Sequence, residues 1–396
     1  MTYFEKDAII SGLGISRVGR RTGIPSTELT LEAVRAAIED AGLVAADIDG
    51  VATFGDTPPA DVLEALDMSA PDRTTGFDTG GVLIPVMSAF RAVSERRSRH
   101  VLVYRTVAML GGSMNQEASP LLTPLASPPV EPHVPGTRRK LKPFEDIDEL
   151  VAAHAYSAAN WLAMHCRRHM QVYGTTKEQL GWLAVNSRRN AGLNPRAAYR
   201  EPMTMADYLA ARPVSSPLGL FDCDVPVDGS IALVVSHADY AADCPNRPVA
   251  VEAIGGTYGS GGWFHRDDFP KMASVEAAAE MWSRTDLTAA DVDVAELYDG
   301  FTYLTFAWLE ALGFCADGEA GPFVDGATRI ALDGTLPLNT YGGQLSAGRM
   351  HGYWLLHEAC LQLRGQAGER QLSRRPEVAV AAAGGGPIAG CMVLTC

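Results

Sequence analysis

Paired cysteines, a long apolar run and an excess of positive charge are all missing from this chain of 396 residues. Its seven cysteines, Cys166, Cys223, Cys244, Cys315, Cys360, Cys391 and Cys396, form no Cys-x-x-Cys motif and no regular framework. A chain of this length has no need of covalent staples, so they read as reduced thiols in a cytoplasmic protein. No stretch of about 18 apolar residues occurs, which argues against a membrane-spanning helix. The start, Met1 to Asp7, lacks the basic and apolar regions of a secretory signal. A net charge of −14 sets the field of the molecule against nucleic acid and anionic membranes. Neither partner is expected.

What is present is an ordinary globular composition, 47% apolar and 20% charged, with 39 glycines and 24 prolines. The length exceeds the roughly 250 to 300 residues at which one hydrophobic core stops growing, so two domains or two similar halves are predicted. The periodicity bears this out on paper. Ala8 to Leu13 reads as a buried strand, Ser26 to Ala41 as an amphipathic helix, and Ala46 to Thr53 as a turn leading into a strand. The order recurs at Val249 to Gly255, Val275 to Trp282 and Ala290 to Leu297, and the acidic-apolar phrase around Asp47 returns 244 positions later around Asp291.

Each half continues with an apolar helix, Val82 to Ser94 or Phe301 to Leu312, and later a strand, Val101 to Tyr104 or Val378 to Ala383. Ile231 to Ser236 and Met392 to Thr395 close the two halves. Strands alternating with helices predict an α/β class with a mostly parallel sheet covered on both faces. The expected division is an N-terminal half over 1–245 and a C-terminal half over 246–396. The first half carries a Pro-rich excursion (about 106–145) and a helical insertion (about 146–215), with helical patterns at Glu149 to Gln171 and Lys177 to Asn190.

Three stretches carry polar groups where an α/β sheet places a site, at the ends of strands. Phe77 to Gly81 puts Gly80 and Gly81 before a helix, where backbone N–H groups are open to a ligand. Glu296-Leu297-Tyr298-Asp299-Gly300-Phe301 leads from a strand into an apolar helix. Asn339 to Gly352 is a Gly-rich loop bearing Gly343, Arg349 and His351. A Gly384 to Gly386 run, with Gly385 at its centre, falls near the last strands. His165 and His169 share a helix face, but no third ligand is apparent, so no metal is expected.

These stretches, in this order, resemble the thiolase superfamily over nearly the whole chain. GGQLSAGRMHG falls where thiolases have a Gly-Gly loop followed by Gly-His-Pro, ELYDGF where sterol-carrier-type thiolases have Glu-x-His-Asp-x-Phe, and AAAGGGPIAG at the C-terminal Cys-x-Gly-Gly-Gly segment. The resemblance implies duplicated α/β halves in a five-layered α-β-α-β-α sandwich and a dimer. The thiolase nucleophilic cysteine is absent, with Gly80-Gly81 in its place; its second cysteine falls at Ala382, and the histidine of Gly-His-Pro falls on Arg349. An arginine does not relay protons at neutral pH. The pattern is closer to thiolase-like lipid-transfer proteins, which act as aldolases in bacterial steroid side-chain degradation and use tyrosines. Tyr298 matches one such tyrosine, and the position of the other is Arg349.

The resemblance therefore implies a lyase that splits a β-hydroxyacyl-coenzyme A by a retro-aldol step, with no cofactor beyond the coenzyme A of the substrate. The reaction needs a base for the hydroxyl proton and stabilisation of the thioester enolate. Tyr298, Arg349, His351 and Asp299 are the expected catalytic residues, and Gly80, Gly81, Gly343 and Gly385 the expected oxyanion or substrate contacts. Arg349 is expected to lower the Tyr298 phenol from its ordinary value of about 10, and His351 to titrate near neutrality. Arg138, Arg139, Lys140 and Lys142 read as a solvated loop or as a contact for coenzyme A phosphates. The family also implies a small DUF35-type partner with an OB fold and often a zinc ribbon, joined to the dimer in a heterotetramer. Two alternatives stay open: a non-catalytic scaffold subunit, and an acyltransferase using Ser88 or Cys315.

Overall fold

A computed structural model of the chain describes residues 3–54, 57–68, 72–75, 82–108, 146–258 and 262–396. The first half runs β1 (Ala8–Ile15), α1 (Ser26–Asp40), β2 (Gly50–Thr53), α2 (Pro59–Ala65), β3 (Asp72–Thr75), α3 (Ile84–Ser94) and β4 (His100–Ala108). Four helices follow, α4 (Ile147–Ala152), α5 (Ala158–Tyr173), α6 (Lys177–Gly192) and α7 (Met205–Leu209), then a small ribbon of β5 (Pro213–Ser215) and β6 (Leu218–Gly219). β7 (Asp228–His237) closes the half. The second half runs β8 (Val249–Tyr258), α8 (Ser274–Trp282), β9 (Val294–Leu297), α9 (Thr302–Ala311), α10 (Ala320–Val324), α11 (Tyr353–Arg364), β10 (Val378–Gly385) and β11 (Ile388–Thr395).

The main sheet has the order β3-β2-β4-β7-β1-β8-β11-β10-β9. Its two ends are copies of one another: β2-β4-β7-β1 in the first half corresponds to β9-β10-β11-β8 in the second. In each, one parallel pair lies outside and antiparallel pairs lie inside. The halves join at β1 and β8, where Ile9 stands opposite Ala250 and Ile10 opposite Val249. α1 covers one outer face and α8 the other, while α3 and α11 share the middle layer. This is the five-layered, duplicated α/β arrangement expected.

The alternation of small apolar residues along β10 shows how the layers are served. Ala379, Ala381 and Ala383 belong to the core around α3 and α11, whereas Val380 and Ala382 belong to the core around α8 and α9. A strand buried on both faces reads as a continuous apolar run, as this one does. The outer helices sit close because glycines face them. A Cβ on Gly14 of β1 would lie 2.0 Å from the Ala33 carbonyl oxygen, and one on Gly255 of β8 would lie 2.0 Å from that of Ala277.

Two sequence expectations are corrected here. The main sheet is mostly antiparallel, not mostly parallel: β4-β7, β7-β1, β1-β8, β8-β11 and β11-β10 are antiparallel and three pairs are parallel, because neighbours such as β10 and β11 are joined by a tight turn that allows no crossover. The helical pattern over Glu149 to Gln171 is two helices, α4 and α5, because His154 takes a left-handed backbone (φ +60°) and Ser157 starts a new helix, its N–H donating to Asn160 Oδ1 at 3.2 Å. β4 pairs with β7 as far as Ala108, so the described strand reaches the start expected for the excursion, at about 106. The Pro-rich stretch itself, with Arg138, Arg139, Lys140 and Lys142, lies outside the described residues, as do Gly80 and Gly81. Among the described residues, no helix is long and apolar enough to cross a membrane.

Candidate active site

The parallel strands of both halves end at one place. β2 runs out at Phe54 beside Arg105 of β4, and β9 runs out at Tyr298, which packs against the cores of both halves. Beyond β9 the chain is held by Asn339, whose side chain acts as a strand neighbour. It accepts from Leu297 N–H at 2.7 Å and donates to the Leu297 carbonyl at 2.9 Å. The Gly-rich loop follows and is tied to Asp299, which accepts from Gln344 N–H at 2.8 Å and from Leu345 N–H at 3.4 Å. Only glycine fits at Gly343. Its φ is +60°, and a Cβ there would lie 1.9 Å from Asp299 Oδ2.

A third segment, Cys223 to Val225 ahead of β7, is threaded between these two. Asp224 N–H donates to the Gly300 carbonyl at 3.1 Å, Val225 N–H to the Gln344 carbonyl at 2.9 Å, and Arg349 N–H to the Val225 carbonyl at 2.8 Å. That threading brings Asp224 to Arg349, with 3.5 Å between Oδ2 and Nη1. Both retain some exposure, as do Tyr298 and His351. Arg105 is buried; it donates to the Phe54 carbonyl, lies 4.6 Å over the Phe54 ring, and places Nη2 2.9 Å from His351 Nδ1. The result is a half-buried phenol with two guanidinium groups and two carboxyls, Asp224 and Asp299, around it, and an imidazole held on one of the guanidinium groups.

Burial governs the protonation of these groups. It raises the Tyr298 phenol above its ordinary value, and the nearby Asp224 carboxylate raises it further, outweighing Arg349 and Arg105. The expected lowering is therefore reversed, because Arg349 already has an acid of its own. Burial, reinforced by Arg105 and Arg349, holds His351 well below the usual imidazole value, so it does not titrate near neutrality. Burial lifts Asp224 against the pull of Arg349, and lifts Asp299 to about 6 against the loop N–H groups that favour its charge.

Of the residues expected from sequence, Tyr298, Arg349 and His351 come together, and Asp299 and Gly343 form the joint that holds the loop carrying two of them. Gly385 does not join them. It lies in the hairpin opposite Ile388, where a Cβ would meet Leu304 at 2.3 Å, and the Gly384 carbonyl is taken by Trp308 Nε1 at 3.0 Å. Its neighbour Ala383 touches the site, through Gly352. Arg105 and Asp224 were missed. An arginine inside an otherwise apolar strand, HVLVYRTVA, is the signal that marks the first; nothing local marks the second.

His165 and His169 are buried with separate partners. His165 Nδ1 lies 3.0 Å from the Trp161 carbonyl, and His169 sits between Thr175 Oγ1 at 2.8 Å and Glu310 Oε1 at 3.0 Å. No group of three metal-ligating side chains occurs among the described residues. Cys223 is the cysteine next to the cluster, and burial with the neighbouring Asp222 and Asp224 pushes its thiol up to about 12. Cys315 is likewise pushed up to about 12 by burial. Neither is an activated thiolate.

Comparison with known proteins gives the family of the chain. The model of the thiolase C-terminal domain-like family matches residues 257–395. The 17-hydroxy-3-oxo-4-pregnene-20-carboxyl-CoA lyase of Mycobacterium tuberculosis is 32% identical over 378 residues, 90% of this chain and 92% of its own. The steroid side-chain-cleaving aldolase of Thermomonospora curvata is 32% identical over 390 residues, 92% of each chain. The chain belongs to the thiolase-like aldolase family. Among solved structures, the Ltp2-ChsH2(DUF35) aldolase matches this family member with a TM-score of 0.85 at 29% identity, over 99% of this chain and 98% of that one. The sterol-carrier-type thiolase-like protein type 1 of Mycobacterium smegmatis, at 16% identity and a TM-score of 0.72, shares the fold.

Proposed function

We propose that the protein is a lyase that cleaves the side chain of a steroid β-hydroxyacyl-coenzyme A by a retro-aldol step, leaving a ring ketone and a short acyl-coenzyme A. One arrangement carries this reading: a half-buried phenol, Tyr298, beside the Asp224–Arg349 pair and the Arg105–His351 pair, with the adjacent thiol of Cys223 unactivated. The substrate named for the mycobacterial relative has its hydroxyl on the carbon β to the thioester, the relation a retro-aldol cleavage requires.

The chemistry follows from these groups without a covalent intermediate. The Tyr298 oxygen takes the proton of the substrate hydroxyl as its own proton passes to Asp224, whose burial makes it a better base than an exposed aspartate. The hydroxyl carbon becomes a carbonyl, the carbon–carbon bond breaks, and its electron pair becomes a thioester enolate held by hydrogen-bond donors of the site. The proton then returns to the enolate carbon, so the proton balance closes and nothing is oxidised or reduced. Coenzyme A enters only as part of the substrate. The protein works in the cytoplasm as a homodimer, and its partner is a DUF35-type subunit; the DUF35 protein in the solved Ltp2-ChsH2(DUF35) aldolase supports the partner.

The test is to purify the protein with a DUF35-type subunit and assay release of ketone and acyl-coenzyme A from steroid and simpler β-hydroxyacyl-coenzyme A substrates. Release that Tyr298→Phe abolishes, with the complex intact, supports the lyase. A stable complex that cleaves none of them overturns it in favour of a scaffold subunit.

A further inference from the structure

We propose that Arg105 is a positioning residue that holds His351 in the tautomer bearing its proton on Nε2, so that His351 donates a hydrogen bond to the thioester oxygen of the substrate. The inference rests on the lyase reading above and adds to it the donor for the enolate. A guanidinium can only donate, so the 2.9 Å approach of Arg105 Nη2 to His351 Nδ1 requires Nδ1 to accept. The remaining proton of the neutral ring then sits on Nε2. Among the described residues Nε2 has no hydrogen-bond partner, and His351 keeps some exposure, so this N–H is the one the ring can offer to a bound molecule.

Arg105 is itself fixed from two directions. Another of its N–H groups donates to the Phe54 carbonyl, and its guanidinium stacks on the Phe54 ring, which meets the His351 ring edge-on at 6.1 Å between centroids. His351 has a left-handed backbone at φ +49°, a conformation costly for a residue with a Cβ and one that surrounding structure must hold. The charged and titratable groups around it are Arg105 from β4, Arg349 from its own loop, Asp224 paired to Arg349, Tyr298 beyond β9 and Tyr353 of α11. Among the described residues, the charges that act on a protonated imidazole there are the two guanidinium groups, while Asp224 is engaged by Arg349 and Asp299 by the loop N–H groups. His351 is therefore a donor and never the base.

The inference is tested first without turnover, by nitrogen-15 spectra of histidine-labelled protein, with His351→Asn giving the assignment. The expected spectrum has Nδ1 unprotonated and Nε2 protonated, unchanged across about pH 6 to 8. A proton on Nδ1, or titration in that range, overturns the proposal whatever the substrate proves to be. Arg105→Gln should make His351 titrate within the range and mix its tautomers; Arg105→Lys, which keeps the charge and one donor, should restore much of the native spectrum and guards against a misfolded glutamine variant. In the assay, His351→Leu should lower kcat about 100-fold and His351→Gln, which keeps an N–H, clearly less. Equal rates for the two would remove the donor role. If the unaltered complex cleaves nothing while the spectra are as expected, the lyase reading fails and the tautomer assignment stands.

Discussion

The two halves of the molecule are built on one frame and finished differently where their strands end. The frame is repeated down to single hydrogen bonds. Asp47 accepts from Val44 N–H at 2.8 Å in the turn before β2, and Asp291 accepts from Thr288 N–H at 2.8 Å in the turn before β9. Asp49 then pins the start of β4 through the N–H groups of Arg99 and His100, as Asp293 pins β10 through those of Glu377 and Val378. Carried along the paired strands, this register makes Phe54 the equivalent of Tyr298, Ala52 of Glu296 and Arg105 of Ala383 in the two halves. One half supplies an arginine on an aromatic ring, the other a phenol on a buried acidic network. Duplication kept what positions the strands and released what the strand ends carry.

That contrast breaks most sharply at Tyr298. Tyr298→Phe should lower turnover by about 100-fold or more. Adding Phe54→Tyr, which puts a phenol at the equivalent end of β2, should recover nothing, because Asp224 and Arg349 attend only the second half. Recovered release of acyl-coenzyme A would mean that the halves are interchangeable.

Next in size is Asp299→Ala, which strands two loop N–H groups beneath the segment carrying Arg349 and His351. A loss of about 1–3 kcal/mol of stability is expected in denaturant unfolding, with turnover falling as well. A variant as stable as the parent would deny Asp299 its role as the joint.

Glu296 sharpens the comparison through pH. It is fully buried beside Glu358, and Thr340 Oγ1 stands 2.7 Å from Glu296 Oε1 and 2.9 Å from Glu358 Oε1, while Arg370 pairs with Glu358 at 2.8 Å. Burial and the charge of Glu358 raise Glu296 well above the ordinary carboxylate value, so the folded chain keeps a proton that the unfolded chain releases. Stability on this account is present at acid pH and lost as pH climbs past the unfolded value, with a slope of at most about 1.4 kcal/mol per pH unit. Glu296→Gln should flatten that fall, so its melting temperature should exceed the parent's at pH 8 by more than at pH 5. An identical pH dependence would show that Glu296 is ionised in the fold. The smallest effects belong to the frame: Asp49→Ala and Asp293→Ala should each cost about 1 kcal/mol and cost alike, with the first leaving turnover unchanged.

Much of this was legible before any coordinates. The acidic phrase at Asp47 and Asp291 marks a repeat because an identical turn needs identical caps. The apolar alternation placed helices and strands within a few residues, and Tyr298 stood out at a strand end. The strand ending expected at Tyr104 hid Arg105, since strand pairing with β7, which local pattern does not report, carries β4 to Ala108. His165 and His169 share a helix face, yet packing gives each a different partner. Gly385 shared a motif with the site but is spent on a hairpin.

By itself the sequence determined the layered α/β class, the duplication and the strand end at which chemistry gathers, because periodicity, caps and glycines act over a few neighbours along the chain. Tertiary structure alone decided the charges of the site. Asp224 reaches Arg349, and Arg105 reaches His351, only after segments more than 100 residues apart are threaded together. Whether a phenol or an imidazole is raised or lowered depends on the burial and the neighbours that this threading creates.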